Sequence, residues 1–374
     1  MTSPRLQALH DAGQSLWLDY IDRTILGNGD LQRRISDDAI TGMTSNPTIF
    51  EKALAEGTAY DEQLAGAPSG LSPWQRFELV ETTDVRTACD IFRPVYDATN
   101  GGDGFVSIEV SPGSANDAKA TAAEAHRLWK AVDRPNVMVK VPGTAEGAEA
   151  CRRLTADGIN INITLLFAVE AHERVIDAYI AGLEERMKAG KPIGRIASVA
   201  SFFVSRVDTE VDKRIDAMIA ADPSKSATLG ALKGKAAIAN AKMAYALFQK
   251  KFTGSRWDVL AAKGARVQRP LWASTSTKNP AYRDVMYVEQ LIGPHTVNTL
   301  PPATIDAFRD HGEVRRTVDR DMDVARKVIA DLEANGISLP DVTAKLLKDG
   351  ITSFQKSFDG LLGNLEKRAA VAAR

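Results

Sequence analysis

The chain has 374 residues and a formal net charge of −1, with 44% hydrophobic and 25% charged residues, the balance of an ordinary globular protein. It has no dense basic run and no apolar run near roughly 18 residues, so we expect neither nucleic acid nor a membrane as a partner. Two cysteines, Cys89 and Cys151, are too few for a disulfide scaffold or a cysteine-based zinc site. Residues 1–14 lack the apolar stretch of a secretory signal, and we therefore expect a cytoplasmic protein.

Eight segments have the apolar pattern of short strands, and helical periodicity follows each of them. In chain order, the predicted strands are residues 16–20, 41–45, 106–111, 137–142, 159–165, 195–203, 270–274 and 296–300. The predicted helices between them are residues 73–87, 115–130, 145–155, 168–187, 231–248 and 282–292. Asn279 and Pro280 are predicted to start a helix, because proline favours the first helical position.

The alternation of strands and helices predicts a parallel sheet, because parallel neighbours need a crossover connection. Eight such units favour one (β/α)8 TIM barrel domain over residues 1–374. A doubly wound open sheet is the alternative, since sequence patterns alone cannot close a barrel. Residues 47–105 and 313–374 exceed one plain unit and predict additional helices, the second span forming a C-terminal helical extension packed on the barrel.

The C-terminal span has apolar residues at helical spacing, which predicts a helix whose stripe packs against the barrel. A role in covering a ligand site is the alternative interpretation. The stripe consists of Ile351, Phe354, Phe358, Leu361 and Leu365.

Three central strands carry polar residues on one face only. Alternate residues of a strand point to opposite faces, so the polar set of each strand is separated from its apolar set. In a parallel sheet covered by helices, that polar face is enclosed, which points to a ligand site. The enclosed polar set is Ser107, Glu109, Ser111, Lys140, Asn160, Asn162 and Thr164.

The carboxyl ends of the strands are the place where barrel enzymes hold their catalytic groups. A single polar residue there is usually a turn former or a helix cap, but here every predicted strand supplies one. In chain order they are Asp19, Asn46, Glu109, Lys140, Asn162 with Thr164, Ser201, Ser274 and Asn298.

Lys140 is the most informative of these residues. A lysine enclosed in a barrel has little water to stabilise its charge, and a neutral amine can attack a carbonyl to form a Schiff base. Glu109 lies on the preceding strand and could exchange protons with the amine through a water. A plain ion pair, with a protonated and unreactive lysine, would use the same two residues, and the sequence does not separate these outcomes.

Other strand-end residues have two interpretations each. Asp19 could be a general base or a cap for the following loop. Asn46, Asn162 and Thr164 suit hydrogen bonds to the hydroxyls of a polyol, or the placement of a catalytic water.

Two later segments offer groups for a phosphate. Arg206 follows the sixth predicted strand, and its planar guanidinium matches phosphate oxygens, although a surface salt bridge with Asp208 or Glu210 is the simpler interpretation. Residues 272–280 join the seventh strand to a predicted helix, a frequent phosphate position in barrels. The candidates in that segment are Ser274, Ser276 and Lys278.

Several common catalytic signatures are missing from the sequence. The five histidines are scattered outside any HExxH pattern, and neither a GxGxxG fingerprint, a P-loop nor a GxSxG elbow occurs. We therefore expect no metal and no cofactor.

The chain resembles the transaldolase family over about residues 16–312, with several motifs in the family's order. Its length and residues 272–280 look like the long bacterial branch. The motifs are Thr44-Ser45-Asn46-Pro47, Ser107-Ile108-Glu109-Val110, Val139-Lys140-Val141-Pro142, residues 158–167 (GININITLLF) and Ser201-Phe202-Phe203-Val204-Ser205-Arg206.

The resemblance implies a class I, metal-free transfer of a dihydroxyacetone unit. The family moves this unit from sedoheptulose 7-phosphate to glyceraldehyde 3-phosphate, giving erythrose 4-phosphate and fructose 6-phosphate in the pentose phosphate pathway. Phosphorylated sugars are then the expected partners, and a monomer or a homodimer is the expected assembly.

The resemblance also implies residue roles. Lys140 would be the Schiff-base lysine, and Asp19 would take the hydroxyl proton during carbon–carbon cleavage. Glu109 would pass protons through a water held by Thr164. The substrate contacts would be Asn46 and Asn162 at the dihydroxyacetone hydroxyls, Ser201 and Phe203 facing the substrate, and Arg206 at the phosphate.

One departure from the family pattern concerns the phosphate. Shorter members carry Ala-Ser-Phe-Arg after the seventh strand, whereas here Ala273 and Ser274 are followed by Thr275 and Ser276. We predict that Lys278, or the helix start after Asn279, takes part of the phosphate charge.

Three alternatives stay open at this point. A fructose 6-phosphate aldolase would use the same barrel and lysine but release its product without transfer to an acceptor. A divalent-metal aldolase or a phosphosugar isomerase belongs to a different class, and a noncatalytic barrel that binds sugar phosphates is the third possibility.

Overall fold

The computed structural model describes residues 2–56 and 58–372, in which eight parallel strands close into a barrel in sequence order. The barrel confirms the predicted (β/α)8 architecture, and the open-sheet alternative is wrong. All eight predicted strands are present. They are β1 (Gln14–Asp19), β2 (Ile40–Thr44), β3 (Phe105–Glu109), β4 (Val137–Pro142), β5 (Ile161–Leu166), β6 (Ser198–Phe203), β7 (Gln268–Ala273) and β8 (Thr296–Leu300).

Helices surround the barrel, and several are additions to the plain repeat. In the described part of the chain they are α1 (Pro4–Asp11), α2 (Arg23–Gly27), α3 (Asp30–Asp37), α4 (Pro47–Ala55), α5 (Asp61–Ala65), α6 (Pro73–Ala98), α7 (Ala118–Val132), α8 (Ala145–Asp157), α9 (Val169–Lys188), α10 (Ser205–Ala221), α11 (Ser226–Gly230), α12 (Ala236–Lys251), α13 (Ser255–Ala261), α14 (Met286–Gln290), α15 (Pro302–His311), α16 (Met322–Ala334) and α17 (Leu339–Ala372). Short 3-10 turns occupy Pro112–Ser114 and Pro223–Lys225.

Local sequence signals explain where the helices above the barrel begin and end. The hydroxyl of Thr144 accepts a hydrogen bond from Gly147 N (2.9 Å) and caps α8, which ends at Gly158 with a left-handed φ of 95°. Asn46 caps α4 in the same way by accepting from Ile49 N (3.0 Å), and Pro47 occupies the first helical turn. These caps fix the short loops that follow β4 and β2.

Strand register brings the predicted polar residues to one level of the barrel. Glu109 pairs in register with Lys140, and Lys140 pairs with Asn162 on the next strand. Their apolar neighbours, such as Val139 and Val141, are fully buried under the helices. Three adjacent strands therefore present a carboxylate, an amine and an amide side by side.

The amino-terminal end of the barrel is filled by a polar cluster around an indole ring. Trp17 Nε1 donates to Asp103 Oδ1 (2.8 Å), and Arg269 donates to Ser15 Oγ (2.7 Å). A side chain at Gly42 would lie 2.6 Å from the Trp17 ring, so glycine is required there for the indole to fit. This plug leaves the carboxyl ends of the strands as the open end of the barrel.

The predicted helix over residues 231–248 starts later than expected and runs further. Asp208 Oδ1 accepts a hydrogen bond from Ala237 N (2.8 Å). That contact caps the helix at its observed start, Ala236, and α12 continues to Lys251. Similarly, the predicted helix at 73–87 extends to Ala98.

The prediction that a helix starts at Asn279 and Pro280 is wrong. Asn279 accepts hydrogen bonds through Oδ1 from Ala281 N (3.0 Å) and through its carbonyl from Tyr282 N (3.0 Å), which is a turn. Tyr282 Oη donates to Asp212 Oδ2 (2.6 Å) on α10 and draws the segment away from a helical path. A helix begins only at Met286.

The long C-terminal helix α17 lies across the barrel. Phe354, Phe358, Leu361 and Leu365 of the predicted stripe are buried, and the Phe358 ring meets Phe77 of α6 edge-on at 5.7 Å. Ile351 of the same stripe is partly buried. None of the described helices is long and apolar enough to cross a membrane.

Candidate active site

Lys140 lies inside the barrel with its amine held by two acceptors. Its Nζ donates to Glu109 Oε2 (2.8 Å) and to the carbonyl oxygen of Ser45 (2.8 Å). The side chains of Lys140 and Glu109 are only 7% and 6% exposed, so almost no water contacts the pair. The structure thus brings together the two residues that the strand pattern singles out.

The electrostatics of this pair are set by dehydration. Burial raises the pKa of Glu109 above its ordinary value, and the opposing attraction of Lys140 does not cancel that increase. Moving the proton from the amine to the carboxylate removes two buried charges. The free energy of the neutral pair relative to the charged pair is therefore lower in this buried site than in water. The contact therefore places a carboxyl group with a raised pKa within hydrogen-bond distance of the Lys140 amine.

Asp19, at the end of β1, is oriented by a chain of two threonines. Thr44 Oγ1 donates to Asp19 Oδ1 (2.8 Å), and the hydroxyls of Thr44 and Thr299 are 2.6 Å apart. Burial raises the pKa of Asp19, while Lys140 and then the Thr44 hydrogen bond act in the opposite direction. A carboxylate is a stronger base when its pKa is raised, which suits Asp19 to proton abstraction.

A polar ladder continues from the amine across the neighbouring strands. Asn162 Nδ2 donates to Ser107 Oγ (3.0 Å), and Ser201 Oγ donates to Asn162 Oδ1 (2.7 Å). Thr164 Oγ1 is buried and has no hydrogen-bond partner among the described residues, so it can hold a water or a hydroxyl. The next residue, Leu165, has φ +59°, a strained conformation for a leucine.

Asn46 combines a structural role with a position at the cavity. Its side chain caps α4, as described above, and it also lines the cavity over Lys140. Asp19 likewise lines that cavity, where the structure gives it the hydrogen bond from Thr44.

Two cations lie at the outer end of the site. The Arg206 guanidinium packs over the Phe203 ring, with 5.2 Å from Cζ to the ring centroid. Lys278 Nζ donates to Ser276 Oγ (2.8 Å), and partial burial together with the charge of Arg206 lowers the pKa of Lys278. Ser274 has φ +55° and its hydroxyl lies 3.0 Å from that of Ser205.

The simpler interpretation of Arg206 as a salt-bridge residue is wrong. Asp208 accepts from Ala237 N and from Tyr287 Oη (2.8 Å for each), and Glu210 pairs with Arg214 (2.9 Å). In the described part of the chain, Arg206 makes neither an ion pair nor a hydrogen bond.

One cavity of about 680 Å³ connects the amine to the two cations. Glu109 and Asn162 do not line it. The predicted site residues that do line it are Asp19, Asn46, Lys140, Thr164, Ser201, Phe203, Arg206, Ser274, Ser276 and Lys278.

The family model for transaldolase/fructose-6-phosphate aldolase matches residues 16–365. The chain belongs to this family. Among its relatives, proteins named Transaldolase come from Thermobifida fusca, which is 49% identical over 374 residues with 99% of each chain covered, and from Mycobacterium leprae, which is 46% identical over 375 residues with 100% of this chain and 98% of the relative covered. Transaldolase 2 from a Nostoc species is 48% identical over 373 residues, with 98% of each chain covered.

These transaldolase relatives match the chain along its whole length, as the resemblance to the long branch predicts. Sequence reasoning did not single out Thr44 and Thr299 as site residues of this family member. Thr44 is the last residue of β2, and Thr299 is the last but one of β8. A polar residue at a strand end was the signal that could have identified them. Among the described residues, no group of three or more histidine, cysteine, aspartate and glutamate side chains is arranged to bind a metal ion.

Replacing Thr44 with valine should move the acid limb of kcat/KM to higher pH in this transaldolase-family site. Thr44 donates its hydrogen bond to the charged form of Asp19, so its loss raises the pKa of the carboxyl further. A hydrogen bond to a charged group contributes about 1.5 kcal/mol, which corresponds to a shift of about one pH unit. The measurement is a pH–rate profile, with Thr44→Ser as the control that keeps the hydroxyl. An unchanged acid limb in the valine variant would contradict this role.

Proposed function

We propose that the protein is a class I, metal-independent transaldolase that moves a dihydroxyacetone unit between sedoheptulose 7-phosphate and glyceraldehyde 3-phosphate. The observation that carries the proposal is the dehydrated Lys140–Glu109 pair at the base of a cavity whose outer end holds Arg206 and Lys278. We place the reaction in the cytoplasm, where the free, buried thiols of Cys89 and Cys151 are stable.

Imine formation begins when the free amine of Lys140 attacks the ketose carbonyl at C2. The resulting carbinolamine must lose its hydroxyl as water, which requires a proton. Glu109 holds that proton after neutralising the lysine, and a water at the unpaired Thr164 hydroxyl can carry it to the leaving oxygen. Expulsion of water leaves the protonated imine.

Carbon–carbon cleavage follows from proton abstraction by Asp19. The carboxylate takes the proton of the C4 hydroxyl, the C4–O bond becomes a carbonyl, and the C3–C4 bond breaks. Its electron pair moves toward C2 and neutralises the imine nitrogen, giving an enamine on Lys140 and a free aldehyde. An acceptor aldehyde then enters, and the same steps run in reverse to form and release the new ketose.

The remaining residues are assigned to orientation. Asn46 would bind the hydroxyls of the dihydroxyacetone unit, and Asn162, which does not line the cavity, would orient Ser201 towards them through the hydrogen bond to its Oδ1. Arg206 and Lys278 would bind the phosphate, and Phe203 supports the guanidinium. One cavity joins the amine to the cations, an arrangement that suits a sugar with its carbonyl at one end and its phosphate at the other.

Lys278→Ala should raise KM for phosphorylated substrates while kcat changes little. Lysine binds phosphate as a point charge without the bidentate geometry of arginine, and a contact worth about 1 kcal/mol corresponds to a KM increase of about fivefold. Steady-state kinetics with erythrose 4-phosphate and with erythrose separate the phosphate contribution from general effects. If KM for the phosphorylated acceptor is untouched, the assignment of Lys278 is wrong.

The decisive experiment traps the intermediate. The protein is incubated with fructose 6-phosphate, reduced with borohydride and digested, and the peptide that contains Lys140 is examined by mass spectrometry. We expect a three-carbon adduct on Lys140 and on no other lysine, with equal yield after treatment with a chelator. An unmodified Lys140 in folded protein would remove the lysine from the mechanism, and chelator-sensitive activity would favour a metal aldolase.

A fructose 6-phosphate aldolase is the second candidate, because the matching family model covers both activities. The relatives described above carry the transaldolase name, which supports the transferase. Adding erythrose 4-phosphate to the reaction with fructose 6-phosphate distinguishes the two activities. A transferase should release glyceraldehyde 3-phosphate much faster with the acceptor, whereas an aldolase should not respond.

A further inference from the structure

Helix α17 crosses the open end of the barrel and is fastened on two sides. Arg214 of α10 donates to Asp341 near the start of α17 (2.8 Å), and the hydroxyls of Thr48 on α4 and Ser357 on α17 are 2.9 Å apart. Between these two attachments, Phe354 forms part of the cavity wall. The helix therefore has a fixed position over the site.

Gly350 is the point at which α17 passes Arg206. A side-chain carbon built at Gly350 would lie 3.7 Å from Arg206 Nη1 and 3.0 Å from Leu165 Cδ2. A single carbon would thus crowd Leu165 and just reach Arg206, so a larger side chain at this position would have to displace both residues. Gly363, further along the same helix, offers a contrast, because a side-chain carbon there would meet no atom within 4 Å.

Arg206 is held in position by packing against neighbouring side chains. As described above, it makes no ion pair and no hydrogen bond within the described residues, and its guanidinium contacts the Phe203 ring. An ion pair with a carboxylate would fix the side chain but would also occupy the donors that a phosphate needs. Packing fixes the guanidinium and leaves those donors free.

We propose that Gly350 is a positioning residue that acts through Arg206. Because it has no side chain, it leaves the space beside the guanidinium open, and Arg206 can lie over Phe203 with its hydrogen-bond donors available to the phosphate end of the cavity. The ligand is the phosphate monoester of an acceptor sugar, and in this respect the inference rests on the proposed function.

The test compares Gly350→Leu with Gly363→Leu as a matched control on the same helix. Acceptor KM and kcat are measured with erythrose 4-phosphate and with erythrose, using fructose 6-phosphate as donor. We expect Gly350→Leu to raise KM for erythrose 4-phosphate about tenfold and to leave KM for erythrose near the parent value. Gly363→Leu should change neither. If the leucine variant does not fold, Gly350→Ala, which adds only one carbon, replaces it in the test. We expect this variant to raise KM for erythrose 4-phosphate about twofold.

A double variant separates this inference from the proposed function. Arg206→Ala should lower the preference for the phosphorylated acceptor to the part that Lys278 supplies, and adding Gly350→Leu should then lower the preference no further. If the parent shows no such preference, or Arg206→Ala does not lower it, the proposed phosphate site itself is wrong. If both of those controls behave as expected and neither Gly350 variant loses preference, Gly350 has no positioning role. Equal KM increases for the two acceptors indicate general distortion and also overturn it.

Discussion

Lys140→Met should lower kcat by roughly 10⁴-fold or more, because the variant has no nucleophile with which to form the imine. It should also lose stability above the raised pKa of Glu109, whose buried carboxylate then has no cation. Breaking a buried pair costs about 3 kcal/mol. Because a raised pKa favours protonation in the folded state, this penalty should be present at pH 8 and relieved as the pH falls towards the ordinary value for glutamate. Activity assays and unfolding curves at pH 8 and pH 5 measure the two effects.

Two variants control for folding in the Lys140 experiment. Lys140→Met combined with Glu109→Gln should regain stability at pH 8 but no activity, since the orphaned charge is gone and the nucleophile is still missing. Lys242→Met removes another buried lysine, whose Nζ donates to the Arg320 carbonyl (2.8 Å), and should keep the adduct on Lys140. Substantial turnover by Lys140→Met would refute the covalent mechanism.

Asp19→Asn should lower kcat by about 10²- to 10⁴-fold, the range expected for loss of a general base. The amide keeps an oxygen for the Thr44 hydroxyl, so the orientation of the side chain is preserved while its basicity is lost. Imine formation precedes the step that needs this base. Borohydride reduction in the presence of fructose 6-phosphate should therefore trap the six-carbon sugar on Lys140 in place of the three-carbon unit.

Asp22→Asn is the matched control for this experiment. Asp22 lines the same cavity, and its Oδ1 caps α2 by accepting from Ile25 N (2.7 Å), a role that asparagine can fill. This variant should stay within a few-fold of the parent rate and give the three-carbon adduct. If Asp19→Asn also accumulates the three-carbon adduct at the parent rate, Asp19 is not the base for cleavage.

The sequence predicts the inner part of the site well, because strand geometry is periodic. Alternation on β3 and β4 separates Glu109 and Lys140 from their apolar neighbours, and adjacent parallel strands bring their ends to one level. That pattern predicts that the two residues lie on neighbouring strands, and the barrel shows that they pair in register. Family motifs then add roles that a pattern of alternation cannot supply.

The outer part of the site depends on contacts between distant segments. The hydrogen bond between Thr44 and Thr299 joins the second and eighth strands, and it exists only because the barrel closes. Arg206 can be named from its motif, but its packing against α17 requires the path of a helix from the far end of the chain. Asn279 and Pro280 suit a turn as well as a helix start, and a tertiary hydrogen bond to Tyr282 decides between them.

The cluster of Trp17, Asp103, Ser15 and Arg269 closes the amino-terminal end of the barrel, so that the cavity opens only at the carboxyl ends of the strands. In the proposed transfer reaction, the first aldehyde would leave through the opening by which the acceptor enters. The two aldehydes would then occupy the site in turn, and the dihydroxyacetone unit would stay bound to the enzyme after the first has left and before the second binds. The departing aldehyde and the arriving acceptor then compete for the same loaded enzyme, so each should inhibit the other's reaction competitively.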